Sequence, residues 1–264
     1  VDAIAEEILV SVTVGGAGGD KFALGGSVSA NVIMNTVEAK VASGIIGKNE
    51  LGDDIIRGSD LDAAGDIGIS ASDKSTAVVV AGGFAISLSS GAVGVAASAI
   101  YIENDILAAI DNSSVTSSAG NVTLAARAGQ PDTPANPSDI ALGTSGVTLP
   151  TTSSSSVINV TFGGAGGSTF AAGIGISVNI INNTIEAAIR NGSTVAADDG
   201  VSLSAVDASV IDALAFGGAG SPSGGGGGGA ISANVITNTI GAAVTDSTVR
   251  AGVNETGTDV TNDD

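Results

Sequence analysis

Residues 173–187 have the sequence GIGISVNIINNTIEA, and this stretch carries the two patterns that decide the fold. In its first half, Ile174, Ile176 and Val178 alternate with small or polar residues, a period of two that is typical of a β-strand. Its second half contains the phrase Asn183-Thr184-Ile185-Glu186-Ala187, which recurs in variant form elsewhere in the chain. The stretch therefore predicts strands arranged in an internal repeat.

The repeat is marked by four copies of this phrase, which begin at Asn35, Asn104, Asn183 and Asn238. A second landmark, a short strand ending at Ile69, Leu124 and Leu203, follows the first three copies. The two landmarks fit a unit of about 55 residues if two insertions are removed. We predict units at about 1–74, 75–153, 154–208 and 209–264, with insertions at about 44–60 and 130–153 that form loops outside a regular stack.

Glycine clusters precede each asparagine phrase, at residues 15–19, 82–83, 163–167 and 217–220. Residues 15–22 also fit the calcium-binding nonapeptide of RTX proteins, but Asp20 is replaced by Ser168 and Ser221 in later units. Because the glycines recur without the acidic residue, we expect glycine turns with positive φ.

A narrow alanine stands between two β-branched residues after each asparagine, as in Val37/Ala39/Val41 and Ile185/Ala187/Ile189. This pattern favours an inward face stacked in register from unit to unit. The predicted fold is an all-β β-solenoid (β-helix) in which each unit forms about three coils of roughly 18 residues. A β-propeller is the competing repeat fold, and the unequal unit lengths argue against its closed ring.

The composition excludes several functional classes. The chain has no Cys, His or Trp, so zinc sites, thiol nucleophiles, Ser-His-Asp triads and disulfide frameworks are absent. The net charge of −19 argues against binding to nucleic acid or anionic lipid. The uncharged segments 75–102 and 140–185 are rich in Gly, Ser, Thr and Asn, so we expect no membrane insertion.

One cluster of carboxylates is a candidate cation site. It lies between positions 53 and 66, in and just after the first insertion, and contains Asp53, Asp54, Asp60, Asp62 and Asp66. Hard cations prefer such oxygen ligands, so these residues are candidate calcium ligands, and calcium is the candidate cofactor. A solvated acidic loop is the alternative interpretation.

The four asparagines that open the phrase have a structural interpretation. We expect the side chains of Asn35, Asn104, Asn183 and Asn238 to lie at coil corners and bond the backbone of the next coil, which makes a stabilising ladder. Catalysis is not predicted, because Glu38 and Glu186 become Leu107 and Gly241 in sister units and no acidic pair is flanked by aromatic residues.

The succession of residues 163–167 (GGAGG), 173–179 (GIGISVN), 183–187 (NTIEA) and 192–195 (GSTV) resembles repeats of giant bacterial surface exoproteins. The nearest groups are filamentous-haemagglutinin-like and leukotoxin-type adhesins. The resemblance implies a non-catalytic, secreted or cell-surface bacterial stalk or fibre that attaches cells to surfaces or to each other. A carbohydrate-active β-helix enzyme and a calcium-dependent surface-layer or fibre module are the alternatives.

Both ends of the chain resemble internal positions. Val1-Asp2-Ala3 matches Val206-Asp207-Ala208, and residues 247–252 match the segment that begins at Ser193. We therefore expect end-to-end self-association into rods, opposed by the charge of −19 and promoted by salt or divalent cations. Ligands on a host or neighbouring-cell surface are the other candidate partners.

Overall fold

The computed structural model describes residues 1–129, 140–141, 148–149 and 156–252. The fold is all-β, with 77% of residues in strands and no helix among the described residues. Long runs of β-branched and small residues with a period of two explain this content, because such side chains fit a pleated surface. The main sheets are parallel, as in a β-helix or solenoid.

Four parallel sheets make up the body of the molecule. In spatial order, sheet 1 contains β1 (Asp2–Ala5), β7 (Ile67–Asp73), β11 (Val122–Ala128) and β18 (Val201–Asp207). Sheet 2 contains β2 (Ile8–Gly19), β8 (Thr76–Ser87), β14 (Ser156–Gly166) and β19 (Val210–Gly220). Sheet 3 contains, in spatial order, β3 (Phe22–Ala42), β9 (Gly91–Asp111), β15 (Phe170–Ile181) and β20 (Gly225–Ile236). Two shorter strands continue the last two along the chain: β16 (Thr184–Arg190) follows β15 and pairs with β9, and β21 (Thr239–Val244) follows β20 and pairs with β16. Sheet 4 contains β6 (Asp60–Ala63), β10 (Ser114–Ser117), β17 (Thr194–Ala197) and β22 (Thr248–Ala251).

The chain visits sheets 1, 2, 3 and 4 in this order four times. We call each passage a circuit: circuit 1 begins at β1, circuit 2 at β7, circuit 3 at β11 and circuit 4 at β18. Strands of successive circuits pair in register, so that Ile67 pairs with Val122 and Val122 with Val201. Where no insertion intervenes, paired residues are 54 or 55 positions apart, as in Thr194 with Thr248 and Asn179 with Asn234.

The expected division of each unit into three short coils is wrong. No two parallel strands of the described residues pair at the short separation that such coils require, and each circuit supplies one strand to sheets 1, 2 and 4. The long strands of sheets 2 and 3, such as β2, β3, β9 and β14, account for the length of a circuit. A short coil has no room for strands of this length.

Two excursions leave the parallel sheets. Between β3 and β6, an antiparallel hairpin of β4 (Gly44–Lys48) and β5 (Asp54–Arg57) occupies most of the predicted insertion at 44–60, and all its strand residues are exposed. The predicted insertion at 130–153 lies outside the described residues apart from β12 (Ile140–Ala141) and β13 (Thr148–Leu149), which pair antiparallel.

The largest core lies between sheet 1, sheet 4 and the second half of sheet 3. It is filled by aliphatic residues that repeat from circuit to circuit, and we call it the aliphatic prism. The expected inward face is confirmed, because Val37, Ala39 and Val41 pair with Ile106, Ala108 and Ile110, and the latter with Ile185, Ala187 and Ile189. Stacked equivalents about 4.8 Å apart fill this space without aromatic side chains.

Sheet 2 and the first half of sheet 3 pack face to face in a second region, which we call the glycine double layer. Here the glycine clusters lie inside strands, so the expectation of positive-φ turns is wrong: residues 15–19 end β2, and residues 217–220 end β19. The described glycines with positive φ are Gly52, Gly129, Gly192 and Gly252. A Cβ on Gly94 would lie 1.9 Å from the carbonyl oxygen of Gly164, and one on Gly83 would lie 2.0 Å from that of Val95.

In the glycine double layer the small residues face inward and the apolar residues face outward. In β15 the buried positions are Gly173, Gly175 and Ser177, whereas Ile174 and Val178 are exposed. The two backbones approach so closely that β-branched residues have no space between them. The alternation of residues 173–180 therefore predicts the strand correctly, but its apolar side faces outward.

Candidate functional site

The four predicted asparagines line up where the aliphatic prism meets the glycine double layer. The backbone N–H of Asn104 donates to Oδ1 of Asn183 (3.1 Å), and that of Asn183 donates to Oδ1 of Asn238 (2.8 Å). Asn35 pairs in register with Asn104. Sheet 3 is interrupted between β15 and β16 and between β20 and β21, so the side-chain amide replaces a backbone acceptor there.

Two carboxylates complete this asparagine seam. Asp73, which is fully buried, accepts hydrogen bonds from Nδ2 of Asn35 (2.9 Å) and Nδ2 of Asn104 (3.0 Å), and thereby joins circuits 1 and 2. Asp207 accepts from Nδ2 of Asn238, and Asn183 reaches the same cluster through Oγ of Ser209 (3.2 Å). Each aspartate thus links the asparagines of two circuits, Asp73 directly and Asp207 in part through Ser209.

A serine two positions after each aspartate fixes the carboxylate. The backbone N–H and Oγ of Ser75 both donate to Asp73 at 3.0 Å, and Ser209 makes the same two contacts with Asp207. The sequence analysis missed both aspartates. The recurring Asp-x-Ser at residues 73–75 and 207–209 was the signal that could have revealed them.

These aspartates reveal a period of two circuits. Asp73 and Asp207 occupy the position that Ala5 and Ala128 hold in circuits 1 and 3. Other rows of paired residues alternate in the same way, namely Phe22/Gly91/Phe170/Gly225 and Thr13/Ala81/Thr161/Ala215. Circuits 1 and 3 therefore share features that circuits 2 and 4 lack.

A second polar network lies between the two sheets of the glycine double layer. Oγ of Ser98 donates to Oδ1 of Asn159 (2.7 Å), Nδ2 of Asn159 donates to Oδ1 of Asn179 (2.6 Å), and Nδ2 of Asn179 donates to Oδ1 of Asn234 (2.8 Å). The network links circuits 2, 3 and 4 across sheets 2 and 3. Buried amides satisfied in this way fix the register of the two sheets, which glycine alone leaves weakly specified.

The five aspartates of the candidate calcium site are not gathered by the structure. Asp53 contacts Asn49 and Asp54 forms an ion pair with Lys48 (2.7 Å) in the hairpin, whereas Asp60 and Asp62 lie on β6. The described residues contain no group of three or more acidic side chains that could hold a metal ion. Calcium binding therefore gains no supporting observation.

Asp66 has a structural partner instead. Its Oδ1 accepts from the backbone N–H of Asn121 in the next circuit (2.8 Å) and from Nδ2 of the same residue (3.3 Å). These two hydrogen bonds, the backbone one first, hold the pKa of the Asp66 carboxyl below its usual value.

Asp111 bridges circuits 2 and 3 in a similar way. It accepts from Nδ2 of Asn191 (2.8 Å) and from Nε of Arg190 (2.9 Å). The hydrogen bond from Asn191 is the main cause that lowers the pKa of this carboxyl. Burial opposes it, and the hydrogen bond and charge of Arg190 and the charge of Lys40 lower the pKa further. These acidic residues hold circuits together, and the asparagine seam performs the same task inside.

Comparisons with protein-family models, with curated proteins and with solved structures found no match. Within the described ranges, no helix has the length and apolarity needed to cross a membrane.

Proposed function

We propose that the chain is a non-catalytic structural or adhesive segment of a secreted or cell-surface bacterial fibre, built as a β-solenoid of four units at about 1–74, 75–153, 154–208 and 209–264. Each unit has the length of one circuit but starts one sheet-1 strand later, and paired residues of uninterrupted circuits lie 54 or 55 positions apart. The repeated order of the four sheets and the in-register pairing support this proposal. A solenoid whose circuits contact only their neighbours suits a rod-like stalk.

The observation that carries the proposal is the pair of long strand edges at the two limits of the stack. β3 pairs only with β9, and β20 pairs only with β15, so each presents one unpaired edge within the described residues. β20 begins with Gly225 to Gly229 and has no side chains there to shield its backbone. Long unprotected edges of this kind pair readily with another strand.

The two-circuit period supports head-to-tail stacking. Circuit 4 carries Gly225 and Asp207, whereas circuit 1 carries Phe22 and Ala5 at the paired positions. Placing circuit 1 of a second copy against circuit 4 continues both alternations without interruption. Such a contact is heterologous and builds an open rod rather than a closed dimer.

The test uses an edge-blocking variant. Gly218 and Gly220 lie on the edge strand β19, and a Cβ on either meets no atom within 4 Å, so we expect Gly218→Lys with Gly220→Lys to keep the fold. The control is Gly68→Lys, which has the same open space but lies in β7, between two paired strands. We expect salt-promoted rods in light scattering and electron microscopy for the wild type and the control, and not for the edge variant.

Wild-type chains that remain single particles at every salt concentration would contradict the fibre proposal. The adhesive role has a separate test, in which binding of the soluble segment to host or bacterial cells is measured with the edge variant to remove self-association. Attachment through ligands on those cells is the expected result.

A further inference from the structure

The outward side of the first half of sheet 3 is an apolar surface, which we call the apolar face. It consists of six rows of four paired residues, which begin at Phe22, Leu24, Gly26, Val28, Ala30 and Val32 of β3. Every member is Gly, Ala, Val, Leu, Ile or Phe except Tyr101, whose hydroxyl donates to Glu103 (2.8 Å). The face carries no charge, although the chain has a net charge of −19.

This surface is open in the middle of the stack as well as at its end. Val28 in circuit 1 is 75% exposed, and Ile174 and Val178 in circuit 3 are 36% and 37% exposed although strands flank them on both sides. The face measures about 33 Å along the strands and about 19 Å across them, which gives about 600 Å². A single exposed apolar patch of this size marks an interaction surface.

We propose that the apolar face is covered by the same face of a second copy of the chain, related by a two-fold axis that lies in the interface and runs along the stacking direction. This lateral contact is distinct from the end-to-end contact of the proposed rods and does not depend on it. Two such faces bury about 1,200 Å² in total, which reaches the lower limit of specific, stable protein interfaces.

The charges at the border of the face favour a two-fold axis along the stacking direction over one along the strands, the other axis that lies in the interface. An acidic margin borders the face on one side only and contains Glu38, Glu103, Asp105 and Glu186. Lys40 and Arg190 form ion pairs with Glu38 and Glu186, so the net negative charge of the margin lies on Glu103 and Asp105. An axis along the strands would place the margins of both copies against each other. An axis along the stack reverses the strand direction, so that each margin meets the turn that precedes the partner's face, which is mostly serine in circuits 2 to 4.

Side-chain size supports the same arrangement. The axis passes between the rows of Gly26 and Val28, so the row of Phe22 faces the row of Val32 and the row of Leu24 faces that of Ala30. In circuit 2, Gly91 then faces Tyr101, and Val93 and Val95 face Ala99 and Ala97. In circuit 4 the glycines at 225, 227 and 229 face Val235, Ala233 and Ile231. Large residues therefore meet small ones in eight of the twelve pairs, which suits sheets packed about 10 Å apart. The pairs of two large residues are Phe22 with Val32, Phe170 with Ile180 and Ile174 with Ile176.

The first experiment measures mass in the background of the edge variant Gly218→Lys with Gly220→Lys, which lies on sheet 2 and blocks end-to-end stacking. We expect the mass to double from 25.0 kDa at high protein concentration in sedimentation equilibrium. Adding Ile174→Lys and Val178→Lys should restore the monomer, whereas adding Gly68→Lys, which lies in open space on sheet 1 away from the face, should leave the dimer unchanged. Circular dichroism checks that all variants keep the β-type spectrum.

The second experiment tests the axis, using the absence of native cysteine. In the proposed dimer, residue 95 of one copy faces residue 97 of the other across about 10 Å, which is too far for a direct disulfide. A mixture of Val95→Cys and Ala97→Cys chains should therefore be linked into a covalent dimer by a short bifunctional thiol reagent. A mass doubling without this cross-link would overturn the two-fold geometry. A protein that stays monomeric at every concentration would overturn the lateral interface. So would a protein that never dimerises but binds phosphatidylcholine vesicles through this face, with the binding lost in the variant Ile174→Lys with Val178→Lys.

Discussion

The strands of the aliphatic prism and of the glycine double layer share the same period of two, but their larger apolar residues face inward in the prism and outward in the double layer. In the prism, β-branched residues such as Ile106 and Ile110 face inward and are fully buried. In the double layer, glycine, alanine and serine face inward and residues such as Ile174 face outward. The separation of the facing backbones decides which half of the alternation is interior. A period alone specifies a strand and leaves its orientation open.

The largest expected effect comes from adding a side chain inside the glycine double layer. Gly94→Val places Cβ against the carbonyl oxygens of Gly164 and Gly83, at 1.9 and 2.9 Å, and backbone atoms on both sides leave no room for relaxation. We expect a loss of about 4 kcal/mol or more in the free energy of unfolding, above the usual cost of overpacking. Denaturant unfolding provides the measurement, with Gly68→Val in open space as the control. Equal stabilities of the two variants would show that the sheets are not in contact.

The next effect compares one residue type on the two sides of sheet 3. Ile110→Ala removes a fully buried side chain from the prism, and we expect a loss of about 2–5 kcal/mol. Ile174→Ala changes an outward residue of the double layer, and a monomeric background should show a loss of about 0.5 kcal/mol or less. The thermal midpoints of both variants test the assignment. A larger loss of stability for Ile174→Ala than for Ile110→Ala would show that the assignment of inward and outward faces is wrong.

The asparagine seam should give an effect of intermediate size. Asn183→Ala removes the acceptor for the backbone N–H of Asn104 and the donor to Ser209, and we expect a loss of about 1–3 kcal/mol. Asn238→Ala acts in circuit 4, at the limit of the described stack, and should cost less. If chemical denaturation shows a negligible change in the free energy of unfolding for both variants, the seam has no structural role.

The smallest effect concerns the link between circuits 2 and 3 at Asp111. Its pKa is lowered in the folded chain, so its contribution to stability is present above the unfolded pKa of about 4 and is lost as the pH falls through the folded pKa. Asp111→Asn should therefore reduce stability at pH 7 by about 1 kcal/mol or less, because the pair is partly exposed. This difference from the wild type should shrink below about pH 4. A difference that grows on acidification would contradict the assigned partners.

The sequence predicted the strands, the inward face of the prism and the backbone hydrogen bonds of the Asn183 and Asn238 side chains, because each leaves a periodic signal in one stretch of chain. The side chains of Asn35 and Asn104 donate to Asp73 instead, so the predicted ladder holds for two of its four asparagines. It did not predict the number of coils per unit, since the spacing of the repeat is equally consistent with one large circuit and three small ones. The glycine clusters were assigned to turns because glycine at a turn and glycine at a close sheet contact look alike in sequence. Only the facing strand, which lies elsewhere in the chain, distinguishes them.

The hydrogen-bond partners of the seam could not be predicted from a local sequence pattern either. Asp73 is 31 positions from Asn104 in the chain, and Asp66 contacts Asn121 at a separation of 55. The cluster of aspartates predicted as a cation site is close in sequence but is divided between a hairpin and sheet 4. Nearness along the chain was a poor guide in both cases, because the fold brings together residues on different sheets of one circuit and residues one circuit apart.

The central claim, one circuit per repeat unit, is tested most directly by disulfide formation in this cysteine-free chain. Thr184 and Thr239 are paired, exposed neighbours in sheet 3, at a spacing that suits a disulfide, so Thr184→Cys with Thr239→Cys should oxidise to an intramolecular bond. Thr184→Cys with Ser202→Cys places the cysteines at the sequence spacing of one short coil, and this pair should stay reduced. Efficient bonding of the second pair and none of the first would contradict the account and restore three coils per unit.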